Sequence, residues 1–223
     1  MKNNKLLWIV TFIPLFLSAI AVRFMPDKVP AHYDFAGNID RWGSKYEIFI
    51  FPVMIIIFTC FWLFMIKYYE KKSSQADSEK KTAEMNNNVK ILRTTAIATT
   101  IGFGIMHAFI TLMQKMTVPG GTTTAVFDVN IISNLIIGSM MVVMGNYMPK
   151  SKRNGLFGFR TPKTMSDDVI WYKANRFAGI VFIISGLICV LAGLIIGGIA
   201  SSFILLGILF IDIVICMVYL SKL

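Results

Sequence analysis

Six long runs of apolar residues constrain this chain more than any other feature. Each run is long enough to cross the hydrocarbon core of a bilayer, which is about 30 Å thick and needs roughly 20 helical residues. The runs are continuous rather than alternating, which excludes barrel strands. The sequence therefore predicts an all-α integral membrane protein built as a six-helix transmembrane bundle. The predicted spans are about Leu6–Phe24, Ile48–Tyr68, Ile91–Met113, Val129–Met148, Ile180–Ala200 and Phe203–Leu220.

The distribution of Lys and Arg predicts that both termini lie in the cytoplasm. With that orientation, 17 of the 22 basic residues fall on the inner side and 5 on the outer side. Short loops rich in Lys and Arg are retained in the cytoplasm during insertion. The formal net charge of +10 is then explained by this bias and by attraction to anionic lipid, so no nucleic-acid partner is predicted.

The loops divide the chain into three regions. Residues 1–70 hold the first two spans and an outer loop, 25–47. Residues 71–90 are polar and charged, and are predicted to form a solvated cytoplasmic linker with a frayed helix and no site. Residues 91–223 hold four spans and a cytoplasmic loop, 145–179. The hairpin near Ile199–Ser202 is so tight that the last two spans must be antiparallel neighbours.

The outer loop combines turn formers with possible cation ligands. Turns are predicted at 36–38 and 42–44. His32, Asp34 and Asp40 leave two alternatives: together they hold a cation, or they hydrogen-bond the loop backbone and keep a compact cap over the helix ends. Two carboxylates and one imidazole are a thin set for zinc, which takes three or four protein ligands, so no metal is predicted.

Small and polar residues spaced four apart lie on one face of a helix. Helices associate in lipid through faces of this kind, so these residues predict the centre of the bundle. The third, fourth and fifth spans each carry one such face. The three sets are Ala96, Thr100, Gly104 and Ala108; Asn130, Asn134 and Gly138; and Gly193 and Gly197.

Two ionisable residues, His107 and Asp212, lie away from the ends of predicted spans. A charged Asp at the bilayer centre costs about 2.5–3.5 kcal/mol on insertion scales, so Asp212 must face the bundle, be protonated or contact water. His107 shares the small face of the third span. A contact between the two is a hypothesis, either as a proton relay or as a buried pair that fixes packing.

Residues 145–179, GNYMPKSKRNGLFGFRTPKTMSDDVIWYKANRFAG, form the longest structured segment outside the predicted bilayer. Pro149 ends the fourth span. Ser166 is the predicted N-cap of a short interfacial helix before the fifth span, with Asp167 and Asp168 in its first turn. The segment is interpreted either as a docking surface for an anionic partner or lipid, or as a re-entry helix without a ligand.

This segment resembles the signature of the SdpI family of bacterial membrane proteins, G-N-Y-x-P-K…N…G-x-R-T-P…W…R-F-x-G. The outer loop resembles a small domain of unknown function with the pattern P-x-x-x-P-x-H…G…D…K. The first pattern falls on Gly145, Asn146, Tyr147, Pro149, Gly158, Arg160, Thr161, Pro162, Trp171, Arg176 and Phe177, and the second on Pro26, Pro30, His32, Gly37, Asp40 and Lys45.

The resemblance implies a function that composition does not. It implies that the chain protects a membrane against a secreted toxic peptide, the sporulation-delay toxin of Bacillus-type bacteria. It also implies a second role, in which a cytoplasmic repressor is retained at the membrane when toxin is present. The implied partners are the bilayer, the toxin and the repressor.

Two other classes of function are alternatives. A small proton-coupled carrier would use Asp212, His107 and the pair Asn130 and Asn134, although no internal repeat of the transporter kind is evident. An enzyme is disfavoured, because the sequence lacks a P-loop, His-Glu-x-x-His, Gly-x-Ser-x-Gly and a plausible Cys–His pair. No cofactor is predicted.

Overall fold

The structure, a computed structural model, describes residues 4–34, 36–117, 120 and 128–223. Six helices in this part are long and apolar enough to cross a membrane, which confirms the predicted all-α bundle. A five-residue helix precedes the fifth of them. The helices are Lys5–Ala21 (α1), Ile50–Ser74 (α2), Glu79–Met116 (α3), Val129–Tyr147 (α4), Pro162–Ser166 (α5), Asp168–Ile195 (α6) and Gly198–Ser221 (α7).

The long helices pack as two groups of three. Helices α1, α2 and α3 contact one another, as do α4, α6 and α7, and α3 joins the groups by packing on α4. Gly102 of α3 makes room for Met140 of α4 at this junction. The outer faces carry large exposed apolar side chains, such as Phe64 and Phe210, which suit contact with lipid.

Helices α4 and α6 approach most closely at two reciprocal glycine pairs. A Cβ atom added at Gly186 would lie 2.5 Å from the carbonyl oxygen of Gly138, and one at Gly138 would lie 2.6 Å from that of Gly186. The same holds for Gly145 and Gly179, at 2.6 Å in both directions. Each pair member lies seven residues from the next, so two turns of antiparallel helix share one backbone-to-backbone seam.

The outer loop folds as a β-hairpin, which the sequence analysis did not predict. Strands Lys28–Tyr33 (β1) and Ile39–Ser44 (β2) pair antiparallel. The turn predicted at 36–38 is confirmed, with Gly37 at φ +84°. The turn predicted at 42–44 is wrong, because these residues pair with β1. Residue 35, which lies in the loop, is outside the described residues.

Most of the predicted linker 71–90 is helical. Helix α2 continues to Ser74, and α3 begins at Glu79 with the Ser78 side chain accepting a hydrogen bond from the backbone N–H of Lys81. Only residues 75–78 lie between the two helices. At about 1.5 Å per residue, the 38 residues of α3 extend well beyond a 30 Å hydrocarbon core. The polar part is therefore stable helix, held by tertiary contacts described below.

The boundaries around the fifth span also differ from the prediction. Asp167, not Ser166, is the N-cap of α6, and its carboxylate accepts hydrogen bonds from the backbone N–H groups of Val169 and Ile170. Helix α6 then continues to Ile195 without interruption, so the predicted interfacial helix is the first part of the span. The turn to α7 lies at 196–197 rather than 199–202, because Gly197 adopts φ +60° and ends the helical path.

Candidate functional site

The candidate site lies at the end of the bundle where residues 148–167 connect α4 to α6. This segment is called the motif loop here, and the end that carries it the motif end. The opposite end carries β1 and β2 and is called the hairpin end.

Asn154 organises the first half of the motif loop. Its side-chain oxygen accepts hydrogen bonds from the N–H groups of Leu156 (2.8 Å) and Phe157 (2.7 Å). Its side-chain nitrogen donates to the carbonyl groups of Lys152 (2.8 Å) and Phe157 (3.0 Å). One buried amide therefore satisfies four backbone groups, and it turns the Phe157 side chain into the core.

Asn175 of α6 holds the second half of the loop. Its side-chain oxygen accepts a hydrogen bond from the N–H of Phe159 at 2.7 Å, and its nitrogen donates to the carbonyl of Trp171 at 3.0 Å. Gly158 is needed at this crossing, because its φ is +114° and an added Cβ would lie 2.4 Å from the Asn175 oxygen. Sequence reasoning gave neither Asn154 nor Asn175 a role, although the N of the family pattern falls on Asn154; Asn175 lies in a helix and carries no local signal.

Four further hydrogen bonds attach the motif loop to its neighbours. The buried Trp171 indole donates to the carbonyl of Ser151 at 2.9 Å. Asn88 of α3 pairs with the backbone of Lys152 in both directions, at 2.8 and 3.1 Å. The N–H of Gly155 donates to the Tyr69 hydroxyl at 3.0 Å. The loop is thus held against α2, α3 and α6 by hydrogen bonds, although part of it is exposed.

The remaining motif residues of the loop and of α6 either start a helix or carry an exposed charge. Thr161 and Thr164 form a reciprocal cap that starts α5, with Pro162 in its first turn. Arg160 is exposed and donates to the carbonyl of Gly155. Arg176 is exposed on α6.

Near the end of α4, the Asn146 side chain accepts a hydrogen bond from Lys150, whose ammonium lies over the Tyr147 ring. Pro149 packs against Gly179, since a Cβ added to Gly179 would lie 3.0 Å from the Cδ of Pro149. Phe177 stacks on Tyr219 of α7, with ring centroids 4.0 Å apart. These motif residues therefore join α4, α6 and α7 at the motif end.

A cationic groove of about 750 Å³ lies between the motif loop and the ends of α2 and α3. Six basic side chains and two acidic ones line it. Asp168 pairs with Arg153 at 2.9 Å, and Glu84 lies 4.0 Å from Lys152. Residues 72–88, predicted to hold no site, therefore form one wall of a groove suited to anions. The charged lining residues are Lys72, Lys80, Lys81, Lys150, Lys152, Arg153, Glu84 and Asp168.

The carboxylate of Asp167 lies at the edge of this region. The hydrogen bonds that it accepts from the N–H groups of Ile170 and Val169 lower its pKa below the ordinary value, and the positive charges of Arg153 and Lys173 add to this effect. Asp167 is therefore ionised at neutral pH and complements the positive N-terminus of α6.

Asp212 lies in α7 and lines an apolar cavity of about 210 Å³ beneath the motif loop. The loop residues Phe157, Gly158 and Phe159 form part of the cavity wall. The Ser185 hydroxyl donates to one carboxylate oxygen at 2.7 Å. Two candidate sites that were separate in the sequence, the motif and Asp212, thus meet in one place.

His107 lies elsewhere in the bundle. Its Nε2 atom is 2.7 Å from the Ser18 hydroxyl of α1, and its ring stacks on Phe51 of α2 with centroids 5.8 Å apart. Asp212 is held by Ser185 instead, so the hypothesised His107–Asp212 contact is not made. His107 borders a cavity shared with Arg41 and Glu47 toward the hairpin end, far from the motif loop.

Asn130 and Asn134 join α4 to α7 rather than continuing a path to Asp212. The Asn134 side chain donates to the carbonyl of Asn130 at 2.9 Å and to Ser201 at 3.1 Å. The Ser202 hydroxyl donates to the Asn130 side chain at 2.8 Å. The residues proposed for a proton-coupled carrier therefore occupy three separate locations.

Asp128 continues this polar link at the start of α4. It accepts hydrogen bonds from the N–H groups of Asn130 and Gly198, so it caps α4 and attaches α7 to it. Partial burial opposes ionisation, but the hydrogen bonds from Gly198 and Asn130 together lower the pKa of Asp128 below its ordinary value.

The three outer-loop residues considered as cation ligands, His32, Asp34 and Asp40, have two different roles. His32 Nδ1 lies 2.7 and 2.9 Å from the two Asp40 carboxylate oxygens, whereas Asp34 binds the backbone of Ala36 and Asn38 in the turn. Within the described ranges, no group of three or more His, Cys, Asp or Glu side chains is placed to hold a metal ion.

Two further predicted residues anchor the hairpin. The carbonyl of the buried Pro30 accepts a hydrogen bond from Gln114 of α3 at 2.9 Å. The Lys45 ammonium lies 2.8 Å from the Asp27 carboxylate, and its hydrogen bond and charge lower the pKa of Asp27. Together with Gly37 in the turn, these contacts support the interpretation of a compact cap.

Comparison with known proteins agrees with both patterns. Residues 150–220 match the SdpI/YfhL protein family, and residues 9–56 match a domain of unknown function, DUF1648. A protein of Bacillus subtilis (strain 168) named "Immunity protein SdpI" is 25% identical over 189 residues, which cover 84% of this chain and 80% of that protein. Another from the same organism, "Uncharacterized protein YfhL", is 33% identical over 69 residues, 30% of this chain and 63% of that protein. No solved structure matches the chain significantly.

Proposed function

We propose that this chain, whose residues 150–220 match the SdpI/YfhL protein family, is a membrane immunity protein against a secreted peptide toxin of the sporulation-delay class. The observation that carries the proposal is the similarity to an immunity protein over 84% of the chain. The two family models also match residues 9–56, which include the hairpin, and residues 150–220, which include most of the motif loop.

The geometry of the motif end supports binding rather than bond-breaking chemistry. Three buried side chains there, those of Asn154, Asn175 and Trp171, are occupied in holding the loop. Protection would then come from intercepting toxin at the membrane.

Protection is tested by membrane potential in a toxin-sensitive Gram-positive host. Cells that express the chain, and cells with empty vector, receive sporulation-delay-type peptide in the presence of a voltage-sensitive dye. We expect the expressing cells to keep their potential while the control cells depolarise. If both depolarise alike with confirmed expression, the immunity proposal is wrong for this toxin class.

An Arg160→Ala variant tests whether the motif loop contributes to protection. Its control is Lys222→Ala, which removes an exposed positive charge near the C-terminus of α7. We expect only Arg160→Ala to reduce protection, because Arg160 supports the loop through the Gly155 carbonyl.

We further propose that both termini lie in the cytoplasm, with the motif end inside. In a background without native cysteines, Ala36→Cys at the exposed hairpin turn should react with a membrane-impermeant maleimide in intact cells. Asp77→Cys, between α2 and α3, should react only after lysis. Labelling of Asp77→Cys in intact cells would refute this orientation.

A second proposed role is retention of a cytoplasmic repressor, favoured by the cationic groove. An acidic surface on the partner would complement the six basic side chains.

Lys152→Glu reverses one charge without altering the backbone pairing of Lys152 with Asn88. We expect this variant to lose toxin-dependent induction of a repressor-controlled reporter while it retains protection; Lys222→Glu is the charge-matched control. Equal induction in both variants and wild type would contradict a role for the groove.

A further inference from the structure

The cavity beneath the motif loop is bordered by Asp212, a buried carboxylate with one unsatisfied oxygen. Asp212 is only 3% exposed, and its Oδ1 atom is satisfied by Ser185. Its Oδ2 atom has no hydrogen-bond partner among the described residues. A buried carboxylate oxygen without a partner is costly, so this arrangement favours a ligand that donates a hydrogen bond.

Water alone fits this cavity poorly. The volume of about 210 Å³ exceeds the roughly 150 Å³ of an apolar cavity that takes up benzene. An ordered water needs two to four polar partners. The cavity walls are mainly apolar, with Met144, Met148 and Phe182 beside the loop phenylalanines. The ligand that suits these walls brings apolar surface of its own together with one donor.

The lining also favours positive charge on that donor. Three phenylalanine rings, Phe157, Phe159 and Phe182, line the cavity with Asp212. Aromatic faces attract cations, most strongly where water is excluded. No Lys or Arg is among the described residues that line the cavity, so the carboxylate has no basic partner there.

We propose that this cavity binds a primary ammonium group carried on a small apolar body, with the ammonium donating to the carboxylate of Asp212. Binding of such a cation is independent of the immunity role, and it is measured without toxin or cells.

The probe is 4-fluorobenzylammonium, followed by ¹⁹F NMR with the full chain in zwitterionic lipid nanodiscs. Empty nanodiscs provide the correction for partitioning into lipid. We expect a saturable, protein-dependent shift that is lost or weakened at least tenfold in Asp212→Asn, which keeps the shape of the side chain. The neutral analogue, 4-fluorobenzyl alcohol, should bind at least tenfold more weakly than the ammonium.

A second variant decides the matter if Asp212→Asn does not fold. Phe159→Leu leaves Asp212 intact but removes one ring, and it should weaken binding roughly two- to fivefold. The proposal is overturned if no protein-dependent shift appears, if the alcohol binds as well as the ammonium, or if a folded Asp212→Asn variant binds like wild type. Unchanged binding by Phe159→Leu would likewise overturn it.

Discussion

Substitution of Gly186 by Ala tests the close packing of α4 on α6. The added Cβ would lie 2.5 Å from the Gly138 carbonyl oxygen, about 0.9 Å short of the 3.4 Å at which ordinary contact begins. The obstacle is helix backbone and cannot rotate away, so the helices must separate locally. A gap of that size forfeits a quarter to a half of the dispersion energy of each contact at the seam.

The expected cost is that of overpacking, about 1–3 kcal/mol. For a chain of this size, that corresponds to a fall of roughly 2–12 °C in the thermal midpoint. This fall in midpoint is measured by thermal unfolding in detergent. The readout is the reaction of the buried thiols Cys189 and Cys216 with a fluorogenic maleimide.

The matched control is Gly207→Ala in α7, where an added Cβ meets nothing within 4 Å. Alanine is the better helix former by up to about 1 kcal/mol, so this variant should be neutral or slightly stabilised. If Gly186→Ala and Gly207→Ala shift the midpoint equally, the inference of a glycine-dependent seam is wrong.

Three further predictions concern polar contacts. Trp171→Phe leaves the buried carbonyl of Ser151 without its donor and should cost about 1–3 kcal/mol in thermal unfolding; an unchanged midpoint would contradict the role of this bond. Asn154→Ala releases four backbone groups of the motif loop, and limited proteolysis should then cut the loop faster than in wild type. The pKa of Asp128 is lowered in the folded state, so its ionisation stabilises the protein above about pH 4 and this contribution is lost as the pH falls through the folded pKa. The difference in midpoint between wild type and Asp128→Asn should therefore shrink between pH 6 and pH 3, and a constant difference would refute the assignment.

The six spans and the motif segment were predictable because they depend on local composition. An apolar run long enough to cross the hydrocarbon core can be recognised from its own residues. Pro149 near the end of α4 is a local signal of helix termination. The extension of α3 from Glu79 was not predictable in the same way. Asn88, for example, stabilises that part through Lys152, which lies 64 residues away in the chain.

The hairpin was missed for a related reason. Residues 42–44 have the composition of a turn, but they form part of a strand that pairs with β1. In this antiparallel pairing Gly43 lies opposite Val29. Gly43 also permits the close approach of Glu47, whose side-chain atoms an added Cβ would overlap. A strand of this kind is identified by its partner rather than by its own residues.

The sequence by itself determined that the chain crosses a membrane six times, because transfer of apolar side chains into lipid is a property of each segment alone. It also determined which segment carries the basic and aromatic residues. Only the tertiary structure decided that His107 and Asp212 have different partners. It also placed Asp212 beneath Phe157 and Phe159, because hydrogen bonds and close packing require atoms within a few ångströms, and segment hydrophobicity does not specify which polar atoms meet.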